Sequence, residues 1–414
     1  MFKVTNKAGN KQMIIIETNS CPSGQKSMPL VSESQVYGGY KTIIESILSD
    51  LLESDKNNGD LAVIYDKNLM ESSAYCSVLA KLSEEKVWFI EYYDTEDGDI
   101  HENIEWKSDG FMYVRDSANE WHKIRACLRY VTQKPWNRIP LNCNTIVINP
   151  IIACLAGGRN KMMAAHAYEM LNNDLKQTGL SIKVPTTKLN VRKSEIRAYV
   201  HKMGGHAVIK EPYGNCGVGV YTITNQKELD DFMITPHHYE KFIIQSLVGH
   251  ASWTTNNKSI DDATNDYYHV GTIANENNEI FAYDLRMVAT ANKDGFLPVS
   301  INGRRARKPL IGDLSKLDTD NISSWDMLGT NLSIKLDKNV WDTESVRLLL
   351  MDNNNFDDLG LSIDDLIDGY IQTVLSIVAI DKMCACLLDE NNKFKHDLYK
   401  QLNFDDVLFE ELKI

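Results

Sequence analysis

The residues of this 414-residue chain that point most clearly to chemistry are a lysine and three glycines in one short segment. Lys210 ends the apolar run 207–209, and Gly214, Gly217 and Gly219 follow before β-type residues resume. This pattern predicts a strand, a glycine-rich loop and a second strand. Glycines let backbone N–H groups wrap an anion, and the neighbouring lysine adds a positive charge. The segment therefore predicts phosphate binding, but not a P-loop, because no Gly-x-x-x-x-Gly-Lys-Ser/Thr string is present.

Two further segments could complete a nucleotide site. Lys161 opens a predicted helix and could neutralise phosphate charge without entering the chemistry; the alternative is a solvated helix residue. The strand at 240–248 could offer backbone groups to adenine, and the Gln245 side chain could accept from the exocyclic amine; the alternative is an ordinary buried edge strand. The predicted adenine contacts are Gln245, Ser246, Leu247 and Val248.

A charged strand follows the predicted nucleotide segments. Asp284 and Arg286 are two residues apart, so they share one face of a strand, where inward charges are costly without a ligand or partner. Arg304 and Arg305 come soon after, and guanidinium groups bind phosphate or carboxylate oxygens bidentately. The alternative is a solvated basic loop. We predict an anion site with Arg286, Arg304 and Arg305 as catalytic candidates.

Oxygen-bearing side chains could hold a metal ion near these arginines. Mg²⁺ binds few protein groups together with nucleotide phosphates, and Asp326 and Asn331 offer suitable oxygens, as does Asp284. The alternative is a capped turn, because Asp and Asn both favour turns.

Composition excludes several classes of function. The chain has 44 Lys+Arg against 57 Asp+Glu, a net charge of −13, which argues against general binding to nucleic acid or to an anionic membrane. Its eight cysteines are widely spread, and no signal-peptide pattern opens the chain. We therefore predict a cytoplasmic protein with reduced thiols.

The elements that must position these residues predict an α/β protein. In residues 1–150, strands alternate with helical periodicity, which predicts a largely parallel sheet covered by helices. A strand-rich segment at 266–310 includes a hairpin at Asp294-Gly295. The predicted strands of the first part are 13–17, 61–65, 87–93 and 145–150, and the predicted helices are 41–53, 364–388 and 405–413.

Taken in this order, the motifs of residues 150–340 resemble the ATP-grasp superfamily. The resemblance implies a pre-ATP-grasp α/β domain at 1–150, then a two-lobed ATP-grasp fold. Its first lobe, 151–245, carries the glycine loop, and 246–414 forms the catalytic lobe with C-terminal helices. It implies ATP and Mg²⁺ as cofactors, with Lys161 and Lys210 on the phosphates and the loop of Gly214, Gly217 and Gly219 closing over them.

Within the superfamily, the chain is similar to the glutamate–acyl-carrier-protein ligase of butirosin-type aminoglycoside biosynthesis and to pheganomycin-type peptide ligases. The first resemblance implies that L-glutamate is activated as an acylphosphate, with ADP released. The glutamyl group then passes to the phosphopantetheine thiol of an acyl-carrier protein. A second glutamyl group is then joined to an amine tethered to that carrier. The alternatives are a peptide ligase that joins free amino acids and a non-catalytic ATP-binding protein.

One departure from the ATP-grasp pattern affects the metal site. Many ATP-grasp enzymes carry Glu-x-Asn on a strand, whereas here Asn302 follows Ser300 and Asn331 follows Gly329 at that spacing. The sequence therefore predicts no glutamate among the metal ligands.

Overall fold

The structure is a computed structural model, which describes residues 1–19, 21–25, 28, 37–52, 56–92, 102–132, 134–214, 217–255, 266–317, 322–337 and 340–412. Within these ranges, no helix is long and apolar enough to cross a membrane. The seven described cysteines form no disulfide. Cys216, which the sequence places inside the glycine loop, lies outside the described residues.

The first part of the chain builds a mixed sheet with helices. Its elements are β1 (Phe2–Thr5), β2 (Gln12–Ile14), α1 (Gly38–Leu52), β3 (Asp60–Tyr65), α2 (Leu69–Ser83), β4 (Val87–Glu91), β5 (Ile104–Trp106), β6 (Met112–Arg115), β7 (Trp121–Tyr130), β8 (Ile146–Ile148) and α3 (Ile151–Ala153).

Strands β3 to β8 form one six-stranded sheet. β3 lies between β4 and β7 and pairs with both in parallel, and β8 pairs in parallel with β7. β5 and β6 extend the sheet in antiparallel pairings, so the predicted largely parallel sheet is mixed. Residues of β3 are buried almost continuously, which is typical of a strand covered on both faces.

The second part of the chain carries the predicted phosphate lysines. Its elements are α4 (Lys161–Asp174), β9 (Thr187–Arg192), α5 (Ile196–Lys202), β10 (Ala207–Lys210), β11 (Val220–Ile223), α6 (Gln226–Ile234) and β12 (Lys241–Ser246). The four strands form an antiparallel sheet in the order β11-β10-β12-β9. The strand, loop and strand predicted around Lys210 are confirmed as β10, the glycine loop and β11.

The last part combines a long hairpin with helices. Its elements are β13 (Tyr268–His269), β14 (Tyr283–Asn292), β15 (Gly295–Arg305), α7 (Ser324–Leu328), β16 (Ser333–Asp337), β17 (Val340–Thr343), β18 (Leu348–Leu350), α8 (Asn353–Leu359), α9 (Ile363–Cys386), α10 (His396–Leu402) and α11 (Asp406–Glu411). β15 pairs in antiparallel with both β14 and β18. The hairpin predicted at Asp294-Gly295 is confirmed, with Asn292 opposite Gly295 across the turn.

Two helical layers cover the six-stranded sheet. On one face, Ile44 and Leu51 of α1 and Tyr75 of α2 pack against β3 and β7. On the other face, Met163 of α4 and Ile380 of α9 join a core with the opposite side of the same strands. The helical periodicity of residues 41–53 predicted α1, residues 364–388 were also predicted to be helical, and both helices form.

The chain start does not belong to the six-stranded sheet. The segment 13–17 was expected to be one of its strands, but β2 pairs in antiparallel with β1, and β1 pairs with β13. The apolar side chains of Val4 and Ile14 explain this placement, because they share a core with Val248 beyond the end of β12. The first residues therefore lie beside the second and third parts of the chain.

Candidate active site

A cavity of about 1540 Å³ lies between the three parts of the chain. Ligand pockets typically measure roughly 300–1,000 Å³, so this cavity is larger than the usual pocket for a single small molecule. Many of the residues predicted from sequence line it: Lys210, Gly214, Gly217, Gln245, Ser246, Leu247, Val248, Asp284, Arg286, Arg304 and Asn331. The structure thus brings the glycine loop, the proposed adenine strand and the charged strand to one space.

The two predicted phosphate lysines meet behind the glycine loop. The buried Asn160 caps α4 by accepting from the backbone N–H groups of Met162 (3.1 Å) and Met163 (3.2 Å), which fixes Lys161 at the first helical position. Lys161 Nζ donates to the carbonyl of Gly214 at 3.4 Å. Lys210, at the end of β10, donates to the carbonyl of Ile16 at 3.3 Å. Lys210 lines the cavity, whereas Lys161 is not among the lining residues and lies next to it, behind Gly214.

Burial prepares these lysines for an anionic ligand. Burial lowers the pKa of Lys210 to about 8, with Glu17 acting in the opposite direction and Lys161 adding to the shift. Burial also lowers the pKa of Lys161, again against the attraction of Glu17. The ammonium forms are costly until negative charge arrives, so bound phosphate would restore their ordinary protonation.

Glu17 is the carboxylate at the centre of this cationic region. Burial alone would raise the pKa of its carboxyl, but Lys161, Lys210, Arg286 and Arg304 together hold that pKa below its ordinary value. The side chain lines the cavity and is exposed to the space inside it. No direct hydrogen bond or ion pair of Glu17 occurs among the described residues, so its oxygens can accept a ligand.

Glycine is required at two positions of the loop. A Cβ on Gly214 would lie 2.2 Å from the carbonyl oxygen of Val218, which is a clash with backbone. Gly217 has φ +79°, and a Cβ there would come within 2.8 Å of the Trp325 ring of α7. Gly214 therefore lies tightly against Val218, and Gly217 lies tightly against Trp325; close packing of this kind lets backbone N–H groups approach phosphate oxygens.

In the segment predicted to hold adenine, the backbone groups of Val248 have no hydrogen bond to any residue that the structure describes. The Gln245 side chain donates to Thr187 Oγ1 at 2.9 Å, and its carbonyl oxygen stays available as an acceptor. The Leu247 N–H donates to Thr255 Oγ1 at 2.6 Å, and its carbonyl accepts from Thr254 Oγ1 at 2.8 Å. Val248 has no hydrogen bond to any described residue, so its N–H and C=O are the groups that could pair with a base edge.

Four polar residues face the cavity from the β14–β15 hairpin. Asp284 lies opposite Arg304, and Arg286 lies opposite Asn302. Arg304 donates from Nε to Asp284 Oδ1 at 3.0 Å and from a second nitrogen to Oδ2. Burial would raise the pKa of Asp284, but this arginine holds it below its ordinary value. Arg286 has no hydrogen bond or ion pair within the described part of the chain, so its guanidinium can bind a ligand anion.

The structure does not bring Arg305 and Asp326 into the cavity. Because side chains alternate along β15, Arg305 points away from the Arg304 face and its guanidinium stacks over the Phe281 ring at 4.6 Å. The Asp326 carboxylate accepts from the Ser323 N–H at 3.0 Å and pairs with Arg307 at 2.7 Å, so capping and an ion pair occupy it. Gly219 is also outside the lining, at the start of β11, where its carbonyl accepts from the Glu211 N–H at 2.7 Å.

The sequence interpretation missed a Glu-x-Asn string at the chain start. Glu17-Thr18-Asn19 begins three residues after the end of β2, and all three residues line the cavity. Glu17 and Asn19, with Asn331, offer only oxygen or amide ligands, a donor set that fits Mg²⁺. The spacing itself was the signal that could have identified them.

Comparisons with known proteins give likenesses of fold only. No protein-family model and no curated protein matches the chain. Among solved structures, D-alanyl-alanine synthetase A of Vibrio cholerae is 11% identical, with 79% of this chain and 82% of that chain covered, at a TM-score of 0.46. A RimK-domain ATP-grasp protein of Sphaerobacter thermophilus is 13% identical, covering 66% and 97%, at 0.33. The ATP-grasp ligase PsnB, complexed with minimal precursor, Mg and ADP, is 12% identical, covering 78% and 100%, at 0.29.

Proposed function

We propose that this protein is an ATP-dependent carboxylate ligase of the ATP-grasp type that works through an acylphosphate. One observation carries the proposal: a single cavity is lined by the buried Lys210, glycines of the loop, an uncommitted arginine, Arg286, and an uncommitted carboxylate, Glu17. Lys161 lies next to this cavity, bonded to the Gly214 carbonyl. Such a site can neutralise a polyphosphate and also hold a second anion beside it. Phosphoryl transfer needs mainly this positioning and charge neutralisation.

The reaction consists of two displacements. A carboxylate oxygen of the substrate attacks the γ-phosphorus of ATP, the bond to the bridging oxygen breaks, and ADP leaves. A thiol or amine then attacks the carbonyl carbon of the acylphosphate, and phosphate leaves. A proton of the thiol or amine is released in the second step. In this proposal the substrate is an amino-acid carboxylate, with L-glutamate and an acyl-carrier-protein thiol as the pair that the sequence resemblance suggests.

Each group of residues has one task in this proposal. Lys161 and Lys210 neutralise the phosphates beneath the glycine loop, and Gln245 with the Val248 backbone binds adenine. Arg286 stabilises the charge on the transferring phosphoryl group, and Arg304 is oriented by its bidentate pair with Asp284.

Mg²⁺ would supply charge neutralisation of the phosphate oxygens when bound. Glu17, Asn19 and Asn331 are the residues we propose to hold it. Asp284 could join them only by giving up part of its contact with Arg304.

Trapping of the intermediate tests the proposal. With ATP, Mg²⁺, L-glutamate and hydroxylamine, we expect glutamyl hydroxamate and ADP in equal amounts, because hydroxylamine captures an acylphosphate. A Lys210→Met variant should lose both products. AMP as the nucleotide product would contradict the mechanism. ATP binding with no turnover of any carboxylate would support the non-catalytic alternative instead.

A further inference from the structure

The cavity extends beyond the nucleotide groups to the N-terminal sheet. It reaches the carboxyl ends of β3 and β7, where Lys67 and Thr132 are among the lining residues. β3 continues through α2 to β4 on one side, whereas β7 continues to β8 on the other. Neighbouring parallel strands whose connections diverge form a crevice at their carboxyl ends, the preferred ligand position in such sheets. We call this region, bounded by Lys67, Thr132, Trp136 and Arg159, the switch-point crevice.

The switch-point crevice is rich in hydrogen-bond donors. Lys67 is half-buried, and no hydrogen bond or ion pair engages its ammonium within the described ranges. Trp136 is only 4% exposed, and its indole N–H has no acceptor there. Arg159 uses one nitrogen on the Thr132 carbonyl at 3.0 Å and keeps further donors. Buried donors without acceptors are costly, so a ligand that brings acceptors would be favoured.

The acidic residue of the crevice is already neutralised. Asp66 accepts from the Thr132 N–H at 2.7 Å and from its Oγ1 at 3.1 Å, and it pairs with the buried Arg138 at 3.1 Å. Its carboxylate therefore orders the crevice without opposing a second negative charge. The nearby Lys134 is paired with Glu411, so Lys67 and Arg159 supply the uncompensated positive charge.

The crevice adjoins the phosphate end of the cavity. Arg159 is close enough to Lys161 to help lower the pKa of that lysine, alongside the larger effect of burial. Trp136 packs on Tyr213, just before Gly214, with ring centroids 4.5 Å apart. A ligand in the crevice would thus lie beside the glycine loop, in the part of the cavity that ATP alone does not fill.

From these contacts we propose that the switch-point crevice is a second anion-binding subsite, which holds a carboxylate or phosphate group of the acceptor substrate. This inference rests on the proposed ligase function and specifies its acceptor. The anion comes from one of two sources: the carboxylate of an amino-acid acceptor or the phosphate of a phosphopantetheine arm. Both place the nucleophile near the acylphosphate while the anion stays in the crevice.

Paired probes that differ in one anion test the subsite. Calorimetric titrations of the protein saturated with ADP and Mg²⁺ would compare 4′-phosphopantetheine with pantetheine, and L-alanine with L-alaninamide. We expect the anionic member of one pair to bind at least about tenfold more tightly, because charged hydrogen bonds are strong. The pair that shows the preference identifies the source of the anion.

Variants locate the binding to the crevice. Lys67→Met should weaken binding of the preferred probe roughly tenfold to a hundredfold, and Trp136→Phe should weaken it several-fold while it keeps the ring on Tyr213. Lys81→Met, on the exposed side of α2, is the matched control and should not change the affinity. Equal binding of both members of each pair, or full affinity in Lys67→Met, would overturn the subsite. Failure of ADP itself to bind would overturn the proposed function instead.

Discussion

At the scale of single residues, the charge balance among Glu17, Lys161 and Lys210 decides how the cavity accepts ATP. The lysines are destabilised as ammonium groups by burial, and Glu17 compensates only partly because it makes no direct contact with them. An arriving polyphosphate completes the neutralisation. Ligand binding should therefore be linked to protonation of this group.

The lowered pKa of Lys210 makes ATP binding dependent on pH. The free protein loses the Lys210 proton near pH 8, whereas phosphate favours the ammonium form. The dissociation constant of ATP with Mg²⁺ should therefore be lowest below pH 8 and rise above it, by at most about tenfold per pH unit for one proton. Titrations between about pH 7 and about pH 9.5 would measure this change.

A Lys210→Arg variant separates the effect of this lysine from that of Lys161, whose pKa is also lowered by burial. Its guanidinium stays charged over the same range, so its pH profile should be flatter than that of the native protein. Identical profiles for the two proteins would contradict the assignment to Lys210.

Glu17 provides a second test at this scale. If its carboxylate helps to hold Mg²⁺, Glu17→Gln should shift the Mg²⁺ dependence of ADP formation to higher concentration and lower kcat roughly a hundredfold. Steady-state assays over a range of Mg²⁺ would show both effects. The exposed Glu45→Gln on α1 is the control, and an unchanged Mg²⁺ midpoint in Glu17→Gln would exclude Glu17 as a ligand.

At the scale of elements, the glycine loop works because other elements hold it in place. Trp325 of α7 supports it from one side, and α10 reaches Tyr213 at its base. Tyr399 of α10 bonds the Tyr213 hydroxyl at 2.7 Å and accepts from Asn160 at 2.9 Å. One hydroxyl thereby joins the base of the glycine loop to the cap of the helix that carries Lys161.

The contact of the loop with Trp325 can be tested with two matched glycines. Gly217 and Gly179 have nearly the same φ, +79° and +78°, but only a Cβ on Gly217 meets a neighbour. Both Gly→Ala variants incur a similar backbone strain of roughly 1 kcal/mol. We expect Gly217→Ala to lose about tenfold in ATP affinity, because the loop must move away from Trp325, and Gly179→Ala to keep it. Equal ATP affinities of the two variants would show that the contact of the loop with Trp325 does not affect ATP binding.

The Tyr399 hydroxyl gives the corresponding test for the C-terminal helices. Tyr399→Phe leaves two buried polar groups unsatisfied, which should lower the free energy of unfolding by about 1–3 kcal/mol. A purely structural role predicts only that loss, whereas a positioning role predicts in addition a several-fold higher KM for ATP. The control is Tyr370→Phe, which removes a single bond to the Phe296 carbonyl. An unchanged KM in Tyr399→Phe would refute the positioning role.

At the scale of the whole molecule, local patterns predicted local structure well. The glycine spacing after Lys210 and the periodicity of α1 each depend on residues close in sequence, so the hairpin and this helix form as expected. Such local patterns do not show which side chains are buried or paired by segments that are distant in sequence. This is why Asp326, whose oxygens cap a helix and pair with Arg307, could not be separated from a metal ligand by sequence alone.

Local patterns also failed to identify Glu17 as a residue of the site. The local sequence does not show that its Glu-x-Asn string joins a site whose other members lie far along the chain. The pairing of β1 with β13 instead brings the chain start to the charged β14–β15 hairpin. Long-range strand pairing of this kind depends on the shared core of Val4, Ile14 and Val248.

The transfer of oxygen from the carboxylate tests the central claim most directly. The protein would be incubated with ATP, Mg²⁺, carboxyl-¹⁸O-labelled L-glutamate and a phosphopantetheinylated carrier protein, and the products would be weighed by mass spectrometry. An acylphosphate mechanism predicts ADP, a glutamylated carrier and one ¹⁸O atom in the released phosphate. Label in AMP, or a glutamylated carrier with unlabelled phosphate, would contradict it.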